Sequence, residues 1–181
     1  MEKYKHAYIG IFLPESFIDD LSRVLIQLQE ILPSVKIVSA KSSHITMYYL
    51  GRQTSDELEI IMDRLNGLNF SENFSEITLH GFDYFTQKHP RTIYIKPEPK
   101  NELIKLNAIL VKRIGEFNFQ EKPFTPHLTI ARIRDPETQY RFENNLNEIA
   151  NLLNTLNWRF PLVEMKLCAT NYMDEKKFWT I

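Results

Sequence analysis

Ser43-His44-Ile45-Thr46-Met47-Tyr48-Tyr49-Leu50-Gly51, SHITMYYLG, reads as a strand that a glycine ends. Successive strand residues point to opposite sides. Ile45 and Met47 therefore share one face, suited to packing, and His44, Thr46 and Tyr48 share the other. The same pair returns at Pro126-His127-Leu128-Thr129-Ile130-Ala131-Arg132, PHLTIAR. There His127 and Thr129 share a face, with Leu128 and Ile130 behind them. Two strands that each offer an imidazole and a hydroxyl on one side call for two stations of one cleft.

Working outward, the chain alternates short β-like runs with amphipathic helices. HAYIGIFL (6–13) is β-branched and aromatic and is bounded by Pro14, which predicts a strand. The stretch from Pro14 to Leu32 then places Phe17, Leu21, Val24, Leu25, Leu28, Ile31 and Leu32 on one helical stripe, closed by Pro33. A short strand is expected at 35–38, a helix from Ser55, strands at 74–87 and 91–97, and a helix over 100–117. The second motif strand follows, then one helix over 135–156 with Asp135 as N-cap and Pro136 at its first position. FPLVEMKLCAT and KKFWTI are expected to form a closing hairpin.

This order contains a weak repeat. YIGIFLPESFIDDLSRVL (8–25) parallels YIKPEPKNELIKLNAIL (94–110), and each leads some thirty residues on to a His-x-Thr strand. Two related lobes would bring the motif strands together across a pseudo-twofold axis. No Gly/Ser-rich linker divides them, so residues 1–181 form a single bilobal domain.

Composition narrows the class. With 43% hydrophobic and 25% charged residues the chain is neither disordered nor fibrous. A net charge of −1 excludes a global basic field for a long nucleic-acid footprint, although a local basic cleft stays open. The lone cysteine, Cys168, lies in an apolar run, which points to a packed thiol and a reducing compartment. No stretch reaches the ~18 apolar residues of a membrane span. A cytoplasmic protein is the expectation.

Two histidines with pKa near ~6.5 can divide the proton transfers of an in-line phosphodiester hydrolysis. One takes a proton from water and the other protonates the departing oxygen. Thr46 and Thr129 offer short, stiff hydroxyl donors to the non-bridging oxygens, and Arg132 is the candidate cation. Arg132 lies five positions after His127, which on an ideal strand is the opposite face. A bulge, the strand end or a long reach is needed to bring it in. Phe124 and Tyr48 are candidate base or ribose contacts. No HExxH or CxxC spacing occurs, so no metal and no cofactor is expected.

The two motifs, with YIGIFLPES, VKIVSAKSSHIT, FDYFTQKHPRTIYIKPEP and FTPHLTIAR around them, resemble the 2H phosphoesterase superfamily. Within it the chain is most similar to the RNA 2′,3′-cyclic phosphodiesterase, or 2′-5′ RNA ligase-like, branch. The resemblance implies an α+β fold of two lobes, with two antiparallel sheets lining a central cleft and helices outside. It implies metal-independent hydrolysis of a 2′,3′-cyclic phosphate to a 2′-phosphate. His44 would protonate the leaving 3′ oxygen, His127 would activate water, and Thr46 and Thr129 would bind phosphate. The two histidine roles could be exchanged, since the cleft is nearly symmetric. RNA ends or small cyclic nucleotides are the expected substrates, with no obligatory protein partner and a monomer as the default. Two other readings use the same cleft: a non-catalytic module for RNA ends or nucleotides, and a 2′-5′ RNA ligase.

Overall fold

The computed structural model describes residues 2–68, 76–117, 123–162 and 164–181. Phe74, Ser75 and Val163, which the sequence pattern assigns to strands, lie outside them. Strand β1 spans Lys3–Phe12. After Pro14 comes one 3-10 turn, Glu15–Phe17, and then helix α1, Ile18–Ile31. Leu21, Leu25 and Leu28 form the buried stripe of α1. Strand β2 is Lys36–Ile37 and β3, which carries the first motif, is His44–Thr54. Helix α2, Ser55–Leu65, opens with a reciprocal capping box between Thr54 and Glu57.

The second half repeats the plan. Strands β4 (Ile77–Phe85) and β5 (Thr92–Glu98) precede helix α3 (Lys100–Ile114) and motif strand β6 (Leu128–Arg132). Helix α4 is Pro136–Asn144, with Asp135 accepting from the Thr138 amide as its N-cap. Helix α5 is Leu146–Leu153. Strands β7 (Asn157–Phe160), β8 (Lys166–Asn171) and β9 (Lys176–Thr180) complete the fold.

Hydrogen bonding orders the strands β7-β4-β5-β6-β3-β1-β8-β9, with β2 added beside β6. Every pairing is antiparallel. The path consists of two four-stranded halves. Among the described residues β3 and β6 share one registered pair, Ile45 with Leu128. Through that pair, and through β2 beside β6, the two halves join as one large nine-stranded antiparallel sheet.

Ile45, Met47, Leu128 and Ile130 are at most 1% exposed, and Leu103, Leu106 and Leu110 of α3 are buried with them in the core. The helices thus cover one face of the sheet, and the histidine face is left open. Burying side chains of this size stabilises by roughly 1.5–3 kcal/mol each before entropy is counted, so this layer dominates the fold's stability.

Four expectations need correction. Gly51 does not end the first motif strand. It sits at φ +72 and β3 continues to Thr54, because glycine lets the backbone bulge without leaving the ladder. The helix expected over 135–156 breaks at Asn145. Asn144 and Asn145 donate side-chain hydrogen bonds back to the carbonyls of Tyr140 and Arg141, and such bonds compete with the helical ladder. The closing hairpin is present as β8–β9, but its first strand begins at Lys166 and not at Phe160, which belongs to β7 and pairs with β4 at the far edge. Tyr48 does not share the face of His44. In the β1–β3 ladder Ile9 pairs with Tyr48 but Gly10 pairs with Thr46, so Met47 is an extra residue and the alternation inverts there. Tyr48 turns into the core at 1% exposure, with no surface left for a ribose or base, and Tyr49 turns out.

The Met47 bulge is held from the other half. Asn107 of α3, itself buried, donates from Nδ2 to the Met47 carbonyl at 2.7 Å. A carbonyl displaced from the ladder thereby keeps a partner.

Candidate active site

Antiparallel pairing of Ile45 with Leu128 sets Thr46 beside His127 and His44 beside Thr129. The central pair points into the core. The four flanking side chains consequently lie together on the opposite face, at the floor of the cleft between the halves. Each is partly exposed.

Both imidazoles are anchored alike. His44 Nδ1 lies 2.7 Å from the Ser42 carbonyl and His127 Nδ1 lies 2.8 Å from the Thr125 carbonyl. A carbonyl only accepts, so Nδ1 carries the hydrogen in both rings. Nε2 is then a base in the neutral ring and a donor in the imidazolium. Burial pushes the pKa of each ring below the ordinary histidine value. For His44 the nearby Lys176, His127 and Arg132 charges act in the same direction, and for His127 Arg132 does so.

Aromatic side chains on the neighbouring strands fix the rings. Tyr8 stacks on His44 with centroids 4.4 Å apart and planes 14° from parallel, and Phe12 approaches to 5.2 Å. The Tyr8 phenol is tied to the buried Cys168 thiol, and burial raises the pKa of both groups. Gly10 leaves the necessary room: a Cβ there would sit 3.3 Å from His44 Cδ2. In the other half Tyr94 and Phe85 meet His127 edge-on at 5.5 and 5.1 Å. Burial and the hydrogen-bonded Asp83 carboxylate push the Tyr94 phenol up to about 12. Tyr8 and Tyr94 are the first residues of the repeated segments, so the signal for them was in the repeat, where they stood as ordinary strand aromatics.

Arg132 joins the site face through a further bulge, in β6. Tyr94 pairs with Thr129 and Ile93 with Ala131, which makes Ile130 the extra residue. Arg132 then pairs with Thr92, two residues from Tyr94, on the side of Thr129. It is exposed and close enough to act on the titration of both histidines. Phe124 lies half-buried against the core in the irregular segment before β6. Alternation and motif spacing single out none of Tyr8, Gly10, Phe12, Phe85 and Tyr94, because their roles depend on strands paired across the sheet.

A sheet of two halves, with one anchored histidine and one threonine from each, defines a two-histidine cleft protein. Residues 19–169 match the family model described as the 2'-5' RNA ligase superfamily. The chain belongs to that family. It is 29% identical over 132 residues to an RNA 2',3'-cyclic phosphodiesterase of Thermotoga maritima, covering 71% of this chain and 70% of the relative. A second RNA 2',3'-cyclic phosphodiesterase, from Methanothermobacter thermautotrophicus, is 24% identical over 152 residues, covering 81% and 80%. Among solved structures, E. coli LigT complexed with phosphate superposes with a TM-score of 0.64 at 16% identity, covering 100% of this chain and 96% of that one. At that identity the likeness concerns the fold.

Proposed function

We propose that the protein hydrolyses 2′,3′-cyclic phosphates at RNA ends or on nucleotides to 2′-phosphates, with two-histidine general acid–base catalysis and no metal. Water attacks phosphorus in line with the 3′ oxygen. His127 Nε2 removes a proton from the water as the new P–O bond forms. His44 delivers its Nε2 proton to the 3′ oxygen as the P–O3′ bond breaks. The product carries a 2′-phosphate and a free 3′-hydroxyl. Thr46, Thr129 and Arg132 take the charge that gathers on the non-bridging oxygens. The roles of His44 and His127 follow the polarity assigned from the family resemblance.

The observation that carries this reading is the pairing of Ile45 with Leu128, which sets both His-Thr pairs on one open face. The Nδ1 anchors support it, since both rings then have Nε2 available for proton transfer. The names of the relatives from Thermotoga and Methanothermobacter agree with the reaction. A binding module would hold phosphate more simply with lysine or arginine than with two titratable rings.

The test is a panel of 2′,3′-cyclic nucleotides and cyclic-phosphate-ended oligonucleotides, assayed with EDTA present. The expected product is the 2′-phosphate, at a rate the chelator leaves unchanged. His44→Ala and His127→Ala should each lower kcat by about 10²–10⁴-fold, the usual contribution of a positioned acid or base. Full activity in either variant sinks the paired scheme. A 3′-phosphate product would mean that the other P–O bond breaks.

A further inference from the structure

Burial along β3 changes phase once. Ile45 and Met47 are buried in one alternation and Tyr48 and Leu50 in the next, so two buried residues, Met47 and Tyr48, follow one another. This step lets one strand turn His44 and Thr46 to the cleft while Tyr48 and Leu50 stay in the core. A strand that closed the step by slipping one residue would carry one set or the other to the wrong face. Tyr48 and Leu50 are held by the core, whereas the motif end, His44 to Thr46, is held by three pairs to β1 and one to β6. The motif end is therefore the end that yields.

Two hydrogen bonds oppose the slip, and each crosses from one half to the other. Beyond Ile45, among the described residues, β3 has no registered partner in β6. There Asn107 of α3 donates from Nδ2 to the Met47 carbonyl at 2.7 Å. In β6 the extra residue is Ile130, and its carbonyl accepts the amide of Val38, just after β2, at 2.9 Å. A helix of the second half thus secures the bulge behind the first motif, and a segment of the first half secures the bulge behind the second. The buried side chains of α3 are Leu103, Leu106, Asn107, Leu110 and Ile114. Asn107 is the one polar member of that stripe. Packing alone would favour another leucine there, because a buried amide is costly unless it is hydrogen-bonded.

We propose that Asn107 is a positioning residue for the reaction. Through the Met47 carbonyl it fixes the phase step of β3, and with it the place of Thr46 and His44 against His127 and Thr129. This rests on the function proposed above. Asn107 itself touches no reacting group. The carbonyl it holds is one residue from Thr46, and the bond ties the first motif directly to the half that carries the second.

The experiment compares Asn107→Ala and Asn107→Leu with the wild type and with Ile149→Val, a core change in α5 remote from the motif strands. The leucine variant removes the donor without opening a cavity, so it serves where the alanine variant fails to fold. With a mononucleotide 2′,3′-cyclic phosphate, at a temperature where circular dichroism shows each variant folded, kcat should fall about tenfold in both Asn107 variants and stay at the wild-type value in Ile149→Val. Nuclear magnetic resonance titration of the two imidazoles gives a readout independent of turnover. In the Asn107 variants the pKa of His44 should rise towards ~6.5 as the loosened motif end meets water, and that of His127 should move less. An active wild type with kcat and His44 titration indifferent to residue 107 overturns the positioning role and leaves the reaction standing. An equal fall of kcat in Ile149→Val also overturns it, since lost stability would then explain the loss. A wild type that hydrolyses nothing overturns the reaction, and the His44 titration alone then decides whether Asn107 holds the motif.

Discussion

His44 and His127 both titrate below the usual histidine range, because their rings are largely shielded from water and share the cleft with cations. Catalysis by one neutral and one protonated ring should give a bell-shaped kcat/KM profile, and its optimum should lie on the acid side of ~6.5. A profile centred well above neutrality would contradict this. The same shifts couple to folding. Between the depressed native pKa values and ~6.5 the unfolded chain binds protons that the folded chain refuses. Their contribution to stability is therefore whole above ~6.5 and is lost as pH falls from there through the native values. Urea unfolding at pH 7.5 and 5.5 should show a smaller acid loss in His44→Gln than in the wild type. Gly10 is the other residue-scale determinant. In Gly10→Ala the new methyl meets His44 Cδ2 and the Ile45 carbonyl at 3.3 Å, and neighbours must shift by a few tenths of an ångström. We expect kcat to fall roughly tenfold with the fold retained, short of the ~10²-fold that a full ångström of misplacement can cost.

At the scale of the elements, periodicity made most strands and helices legible. A stripe of leucines at 21, 25 and 28 has one economical solution, which is α1. Asp135 and Pro136 marked the start of α4 for reasons internal to the backbone, since one caps its amides and the other needs none. The bulges at Met47 and Ile130 were not legible. A bulge looks like ordinary alternation until the partner strand is known, because it is a mismatch of count between two strands. That is why alternation along one strand puts Tyr48 on the wrong face, and why Arg132 reaches the site face only through the register of β5. The Met47 bulge depends on Asn107. Replacing Asn107 with Ala should leave the Met47 carbonyl buried and short of a partner, which costs about 1–3 kcal/mol. Thermal or urea unfolding would measure it. A neutral outcome would mean that the bulge relaxes.

For the whole molecule, the joint at Ile45 and Leu128 sets the angle between the halves. Leu128 is 1% exposed and packs in the common core, so Leu128→Ala should destabilise by about 2–5 kcal/mol. Because it borders His127 and Thr129, kcat should fall even at temperatures where the variant is fully folded. Denaturation and single-turnover kinetics would separate the two effects. An unchanged kcat would show that the alignment of the histidines survives a softened joint.

The two His-x-Thr strands, the helical stripes, the strand–helix repeat and the packed Cys168 were determined by the sequence alone. Each rests on the spacing of side chains along one segment, and spacing within a segment is local. Tertiary structure decided which face Tyr48, Tyr49 and Arg132 occupy, that Tyr8 and Tyr94 brace the rings, and that Phe12 and Lys176 gather beside His44. Those outcomes depend on pairing between segments far apart in the chain. Register across strands is chosen by the packing of the whole core and is written in no single stretch.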